Sequence, residues 1–337
     1  MERVLVVGGA GYIGSHMLLK LQDANYKPAQ VLVFDNLSRG FEDACGAVSI
    51  WRGDLCNGND IDACIRSFQP SLVMHFGALA YVGESVEAPE LYYQNNVVGS
   101  LNLLAAMLRH GVQRLVFSST CATYGEPEQV PIPEDHPQRP INPYGQSKLV
   151  IEQVLRDYAT AYGLGSVSLR YFNAAGADPL GRARERHQPE SHLIPLVLAE
   201  AARLKSGGHP SESNLQVFGD DFPTPDGSCI RDYIHIEDLC TAHLKAGDLL
   251  KSPEHERKAH VFNLANGTGY SVFEVIEACR QVTGQKITAK VVGRRAGDPA
   301  RLVGLADSAT QRLGWVPSYQ LLDMVRHAWE AGGFPQK

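Results

Sequence analysis

Tyr144 and Lys148 stand four positions apart in Asn142-Pro143-Tyr144-Gly145-Gln146-Ser147-Lys148. On a helix that spacing puts both side chains on one face, one turn apart. A free tyrosine has a pKa of about 10, too high for a good base at neutral pH. A lysine ammonium one turn away favours the phenolate, as does any other nearby positive charge. The pair could therefore give and take a proton. A Tyr-x-x-x-Lys pair alone is a common accident of helix surfaces, so it needs company. The run Ser118-Ser119-Thr120-Cys121-Ala122-Thr123-Tyr124-Gly125 supplies it, directly after an apolar stretch. Hydroxyls at the carboxyl end of a central strand sit where open α/β sheets bind ligands. Thr120 could hydrogen-bond a substrate oxygen and relay its proton to Tyr144; the alternative is a polar strand end that caps the next turn.

A second constellation lies at the start of the chain. Gly8, Gly11 and Gly14 form G-x-x-G-x-x-G between an apolar run and a helical stretch. In that setting glycine allows the tight turn and close approach of backbone to a pyrophosphate. The helix start then offers free N–H groups to the phosphates. Asp35 ends the next apolar run, where a carboxylate can accept from ribose hydroxyls and repel a 2′-phosphate. This favours NAD over NADP, although Arg39 nearby would welcome that phosphate. Asp54, after the third run, reaches toward the adenine or is simply a turn aspartate.

These residues need a frame. Apolar runs at 4–7, 31–34, 48–51, 72–75, 115–118 and 166–170 read as strands. Helical stretches at 12–21, 60–68, 95–109 and 144–162 lie among them. The alternation predicts an α/β fold, a Rossmann-type doubly wound parallel sheet. After Arg170 the character changes. Gly, Pro, Ser and Asp crowd 173–230 around one helical island at 194–205. Shorter elements follow at 215–218, 237–250, 261–264 and 272–283. The expected division is a dinucleotide-binding domain over 1–172, to which residues near 236–264 return, and a smaller C-terminal substrate-binding lobe over 173–337.

Composition closes off other classes. The chain has 337 residues, is 44% hydrophobic and carries a net charge of −6. That balance has no electrostatic footprint for nucleic acid or an anionic membrane. No apolar run is long enough to span a bilayer. The first apolar run leads into a glycine motif rather than a cleavage site, so a cytoplasmic location is expected. The seven cysteines are scattered, without metal-ligand spacing, and no metal is expected.

The segments GGAGYIGSH, DNLSRG, HFGALAYVGESV, YYQNNVVGS, SSTCATYG, NPYGQSK, LRYFNAAG, DGSCIRDYIH and RRAGDP follow one another along the chain. Through them, over essentially its whole length, it resembles the UDP-glucose 4-epimerase family of extended short-chain dehydrogenases/reductases. The resemblance implies that Tyr144 takes the proton of a sugar 4-hydroxyl while C4 is oxidised by NAD⁺. The 4-keto sugar then turns over and is reduced on its other face, with Thr120 assisting and Lys148 on the nicotinamide ribose. Tyr12, Ile13, Asn36, Leu55, Phe76, Asn95, Ser118 and Tyr171 fall on cofactor-contacting positions. Asn173, His192, Leu193, Phe218, Arg231, Arg295 and Asp298 fall on UDP-sugar positions. Two arginines can neutralise a pyrophosphate. A homodimer built through paired helices, including the Tyr144 helix, is also implied.

The chain departs from the family at three places. Ala80 stands where well-known members carry a lysine, and His192 where asparagine is common. The run after Asp298 is about two residues longer than usual. Leu302 or Arg301 therefore occupies the position lining the sugar pocket, where a bulky aromatic goes with exclusion of N-acetylated sugars. An arginine there would suit a uronate. Related 4,6-dehydratases carry an Asp-Glu pair directly after the threonine; here those positions are Cys121 and Ala122. UDP-glucose/UDP-galactose is the expected pair. The alternatives are 4-epimerisation of UDP-N-acetylglucosamine, a UDP-pentose or a UDP-uronate, or a non-catalytic NAD-binding regulatory protein.

Overall fold

The computed structural model describes residues 2–295 and 298–332, so Ala296 and Gly297 of the RRAGDP segment lie outside the described residues. Each early apolar run becomes a strand: β1 (Val4–Val7), β2 (Val31–Asp35), β3 (Ser49–Arg52), β4 (Leu72–His75), β5 (Arg114–Thr120) and β6 (Gly165–Tyr171). With the strand Ala259–Leu264 they form a seven-stranded sheet, ordered Ala259–Leu264, β6, β5, β4, β1, β2, β3. Every pairing is parallel. The chain thus winds outward from β1 in both directions, the doubly wound pattern.

Parallel sheets are covered on both faces, which is why these strands are apolar along their length rather than alternating. All of β1 and all of β6 are buried. Val4, Val6 and Val33 pack with Met17, Leu21, Leu239 and Cys240 on one face. Leu5, Val7 and Phe34 meet Ile61, Ile65, Leu103, Met107 and Ile151 on the other. Each such side chain, fully buried, contributes roughly 1.5–3 kcal/mol. The helices Tyr12–Asp23 and Ile236–Leu249 cover the first face, so the chain returns to the large sheet over Ile236–Leu249 and Ala259–Leu264.

Beyond β6 a second, smaller assembly has its own apolar core, where Ile194, Val197, Ala201, Val275, Ile276, Met324 and Val325 are buried together. The strand Ile230–His235 organises it, pairing with Asn173–Ala175, Gly269–Ser271 and Arg301–Leu302. The two-residue to six-residue length of these strands explains why none of these four shows in the hydropathy pattern: too few positions exist for a period of two to emerge. The helices Asp307–Leu313 and Leu321–Ala331 likewise go unannounced by the sequence pattern.

Two boundaries matter for the site. β5 runs past its apolar stretch because Ser119 and Thr120 continue to pair with Arg170 and Tyr171. Thr120 is therefore the last residue of a central strand. The helix expected over 95–109 begins at Gly99, after a π-helical turn over Tyr93–Val98 that carries Asn95.

Candidate active site

The glycine turn after β1 is built for close approach. Gly8 has φ +76°, and a Cβ there would lie 2.5 Å from the Gly77 nitrogen. At Gly14 a Cβ would lie 2.3 Å from the Gly8 oxygen. The helix Tyr12–Asp23 starts with no side-chain cap, which leaves its first-turn N–H groups facing the cleft. Such a cradle fits the pyrophosphate of a dinucleotide. Asp35 ends β2 almost buried, accepting the Ala10 N–H at 3.0 Å and the Leu37 N–H at 2.8 Å. Burial pushes its pKa up, against those two bonds. Arg39 turns away from Asp35 toward Glu84, at 2.6 Å, with its guanidinium 5.2 Å from the Tyr81 ring centre. Asp54 accepts from Asn36 at 3.2 Å and does not itself line the cleft.

Thr120 and Tyr144 meet at the carboxyl end of β5, where the Thr120 hydroxyl lies close enough to the phenol to favour its ionised form. Asn142 caps the helix Pro143–Tyr162 by accepting the Gly145 N–H, and Pro143 suits its first position, so Tyr144 projects from a well-fixed first turn. Thr120 Oγ1 already accepts the Ala122 N–H at 3.1 Å, which leaves its O–H free to donate to the phenol oxygen. Burial raises Tyr144 to about 12 and Thr120 opposes that rise. Lys148, one turn on, donates to the Ser118 carbonyl at 2.7 Å and lies 4.9 Å from the Phe117 ring centre. Burial lowers it to about 7, with Glu152 opposing. The lysine therefore does not by itself deliver the phenolate its spacing suggests: both groups are desolvated and its hydrogen bond goes elsewhere. Ser118 and Tyr171 hydroxyls are in contact beside them.

At the other end Asp298 is bracketed by two arginines, Arg295 at 3.0 Å and Arg231 at 3.5 Å. Arg231 also donates to the Pro299 carbonyl at 2.8 Å. The Arg295 guanidinium lies 5.5 Å from the ring centre of Phe218, which is half exposed. Asn173 stands in register beside Tyr233 on the neighbouring strand, and both line the cleft. His192 precedes the helix Leu193–Lys205, and its Nδ1 faces Glu185 at 2.8 Å and Glu190 at 2.9 Å. Burial lowers its pKa, but the two carboxylates win and hold it up at about 10. Only its Nε2 remains for a substrate oxygen. Leu302 faces the cleft, whereas Arg301 is exposed and does not line it.

One cleft of about 1990 Å³ is lined by every residue that the sequence singles out for cofactor or substrate except Asp54 and Arg301. It runs from the glycine turn, past Thr120 and Tyr144, to Arg231 and Leu302. Two groups in it escaped the sequence reading. Arg39 and Glu84 pair across the mouth, and only folding brings residues 45 apart together. The run Glu185-x-His187-x-x-Glu190-x-His192 is a cluster of ligating side chains whose signal lies in the spacing of histidine and glutamate rather than of cysteine.

Residues 4–265 match the NAD dependent epimerase/dehydratase family. The chain is 50% identical to the UDP-glucose 4-epimerase of Halalkalibacterium halodurans, over 97% of its own length and 94% of that relative. Among solved structures it resembles the UDP-glucose 4-epimerase of Brucella ovis in complex with NAD, with a TM-score of 0.91, 43% identity and 99% of each chain covered. The enzyme of Bifidobacterium longum in complex with NAD⁺ and UDP gives a TM-score of 0.88 at 35% identity, covering 98% of each chain.

Proposed function

This chain belongs to the NAD dependent epimerase/dehydratase family, and on that premise we propose that it interconverts the C4 epimers of a UDP-sugar, UDP-glucose and UDP-galactose above all. NAD, when bound, supplies reversible oxidation at C4. Gly8, Gly11 and Gly14 hold its pyrophosphate, with Tyr12 and Ile13 in the first helical turn, and Asp35 takes the adenosine ribose. The observation that carries the reading is the closeness of Thr120 to the Tyr144 phenol, one helical turn from Lys148, in the same cleft as that cradle. Tyr144 takes the proton from the sugar 4-hydroxyl and returns it after the ketone has turned. Thr120 bridges substrate oxygen and phenol, and Lys148 holds the cofactor ribose. Arg231 and Arg295 bind the diphosphate, Phe218 lines the base pocket and Asp298 binds ribose hydroxyls.

Elimination chemistry has less support. A second acid/base group would have to follow Thr120, but Ala122 has none and burial holds the Cys121 thiol up at about 12. A uronate-specific pocket also loses its rationale with Arg301 outside the cleft wall. The homodimer belongs to the same reading, supported by exposed Val86, Leu91, Tyr93 and Val98 on segments flanking the helix Pro143–Tyr162. A cytoplasmic location fits seven free cysteines, and no helix among the described residues is long and apolar enough to cross a membrane. The test is incubation with a panel of UDP-hexoses, UDP-N-acetylhexosamines, UDP-pentoses and UDP-uronates, with products identified and cofactor followed by absorbance. C4 epimers should form without NADH building up in solution. Stoichiometric NADH release would instead make the protein a net dehydrogenase.

A further inference from the structure

The loop before the helix Leu193–Lys205 gathers four ligating side chains at the lip of the cleft. Glu185, His187, Glu190 and His192 each offer an oxygen or nitrogen, and these atoms all lie within 4.8 Å of one another. Three contacts converge there. His187 Nδ1 is 2.7 Å and His192 Nδ1 2.8 Å from Glu185 Oε1, and His192 Nδ1 is 2.9 Å from Glu190 Oε1. One imidazole nitrogen has a single N–H to give, so it cannot make two good hydrogen bonds at once. Two carboxylates drawn to that same nitrogen also repel each other.

The ligand set is held from outside. Edge-on contacts from Tyr12 and Tyr81, at 5.9 and 5.8 Å, fix the His187 ring. Glu190 Oε1 accepts the N–H groups of Ser191 and His192, both at 2.8 Å, which aims its carboxylate. The Glu185 side chain is only 9% exposed, so its charge is not dissipated by water. Ion pairs of Arg182 with Asp23 and of Arg186 with Asp43 tie the same loop to the dinucleotide half.

We propose that Glu185, His187, Glu190 and His192 form a binding site for one divalent transition-metal ion of the zinc type, which staples this loop across the mouth of the cleft. Two imidazoles with two carboxylates match a four-coordinate zinc ion, with ligand distances of about 2.0–2.2 Å. Magnesium and calcium prefer oxygen-only shells, and the two imidazoles count against them. A dication also balances both carboxylates without either imidazole having to take up a proton. The ion has no part in the proton transfer at Tyr144. It ties the part of the loop that touches Tyr12 to the start of the helix Leu193–Lys205, and so stiffens a loop that the Arg182 and Arg186 ion pairs already hold to the dinucleotide half. This inference stands whether or not the chain is an epimerase.

Cobalt is the probe, applied to the full chain after chelator treatment and dialysis. The native protein should take up one equivalent of Co²⁺ with the strong visible absorption of a tetrahedral ion, displaced by Zn²⁺. Glu185→Gln and His187→Asn should each weaken that uptake by more than about tenfold, since even groups that merely support a ligand cost roughly 10–100-fold. Zn²⁺ added to native protein should slow amide hydrogen exchange over residues 183–192, a readout that needs no variant. The proposal is overturned by no tetrahedral spectrum in the native protein, by an undiminished one in both variants, by a sulfur-to-cobalt charge-transfer band that points to cysteine ligands, or by unchanged exchange over that loop.

Discussion

Tyr144 is a phenol that burial holds neutral and a single hydroxyl works to ionise. Burial carries it to about 12, and the nearby Thr120 hydroxyl pulls in the other direction. Tyr144→Phe should therefore cut kcat about 10²–10⁴-fold, the range for a positioned acid/base. NAD content and UDP affinity should stay largely unchanged, because only the proton-carrying oxygen is removed. Thr120→Val should lose less. Its loss removes a donor to the phenolate, so the rising limb of the kcat–pH profile should move to higher pH. Turnover by Tyr144→Phe close to the native rate would reassign the base, and an unmoved limb in Thr120→Val would remove Thr120 from the relay. At this scale the sequence is informative because a spacing of four survives folding as one helix face. It does not reveal burial. Nothing in Tyr-x-x-x-Lys shows that Lys148 turns to the Ser118 carbonyl, or that desolvation brings it down to about 7.

Elements set where these groups point, and two of their ends make predictions. Asp35 closes β2 with its carboxylate fixed by two backbone N–H groups, while Arg39 is drawn off to Glu84. A 2′-phosphate would meet the carboxylate and not the guanidinium, so NAD⁺ should bind more tightly than NADP⁺ to cofactor-free protein by calorimetry. Glu84→Gln should release Arg39 and narrow the gap. Equal affinity in the native protein would transfer the decision to Arg39. The helix Pro143–Tyr162 is locked to the sheet through Glu152, which accepts from Arg170 at 2.5 Å and from Ser119 at 2.5 Å with both ends of the ion pair buried. Removing one partner strands the other charge, so Glu152→Ala should cost about 3–5 kcal/mol in urea unfolding. A loss below about 1 kcal/mol would mean that water replaces the carboxylate. The first six strands were readable because both faces of a parallel sheet are apolar. The later strands are short and polar-flanked, and Ile230–His235 takes its meaning from three partners distant in the chain.

Specificity is a property of the whole molecule, because the cleft that holds Tyr144 is also lined by residues of the smaller assembly. Leu302 reaches the cleft on the strand Arg301–Leu302, in register with Ile230 and Arg231. Asp232 fixes that register by accepting the N–H groups of Asn266 at 2.8 Å, Gly267 at 3.0 Å and Gly304 at 3.3 Å. This is what counting residues after Asp298 could not supply: alternation along a strand sends Leu302 inward and Arg301 to solvent. Leu302 packs on the cluster of Cys121, Tyr124 and Phe172, so its side chain is backed and cannot simply swing away from a larger sugar. A leucine is intermediate in bulk between the aromatic that excludes an N-acetyl group and a small residue that admits it. A hydrophobic wall discriminates a modestly larger group by only about 1–3 kcal/mol. UDP-glucose/UDP-galactose should therefore be the main pair, with weak but measurable turnover of the N-acetylated sugars. In kcat/KM for the two pairs, Leu302→Tyr should raise the preference for the plain sugars and Leu302→Ala should lower it. Since Arg301 lies outside the wall, Arg301→Ala should leave that ratio where it is. If both Leu302 substitutions leave the ratio unchanged while Arg301→Ala shifts it, the strand is out of register in solution and the pocket wall must be redrawn one residue earlier.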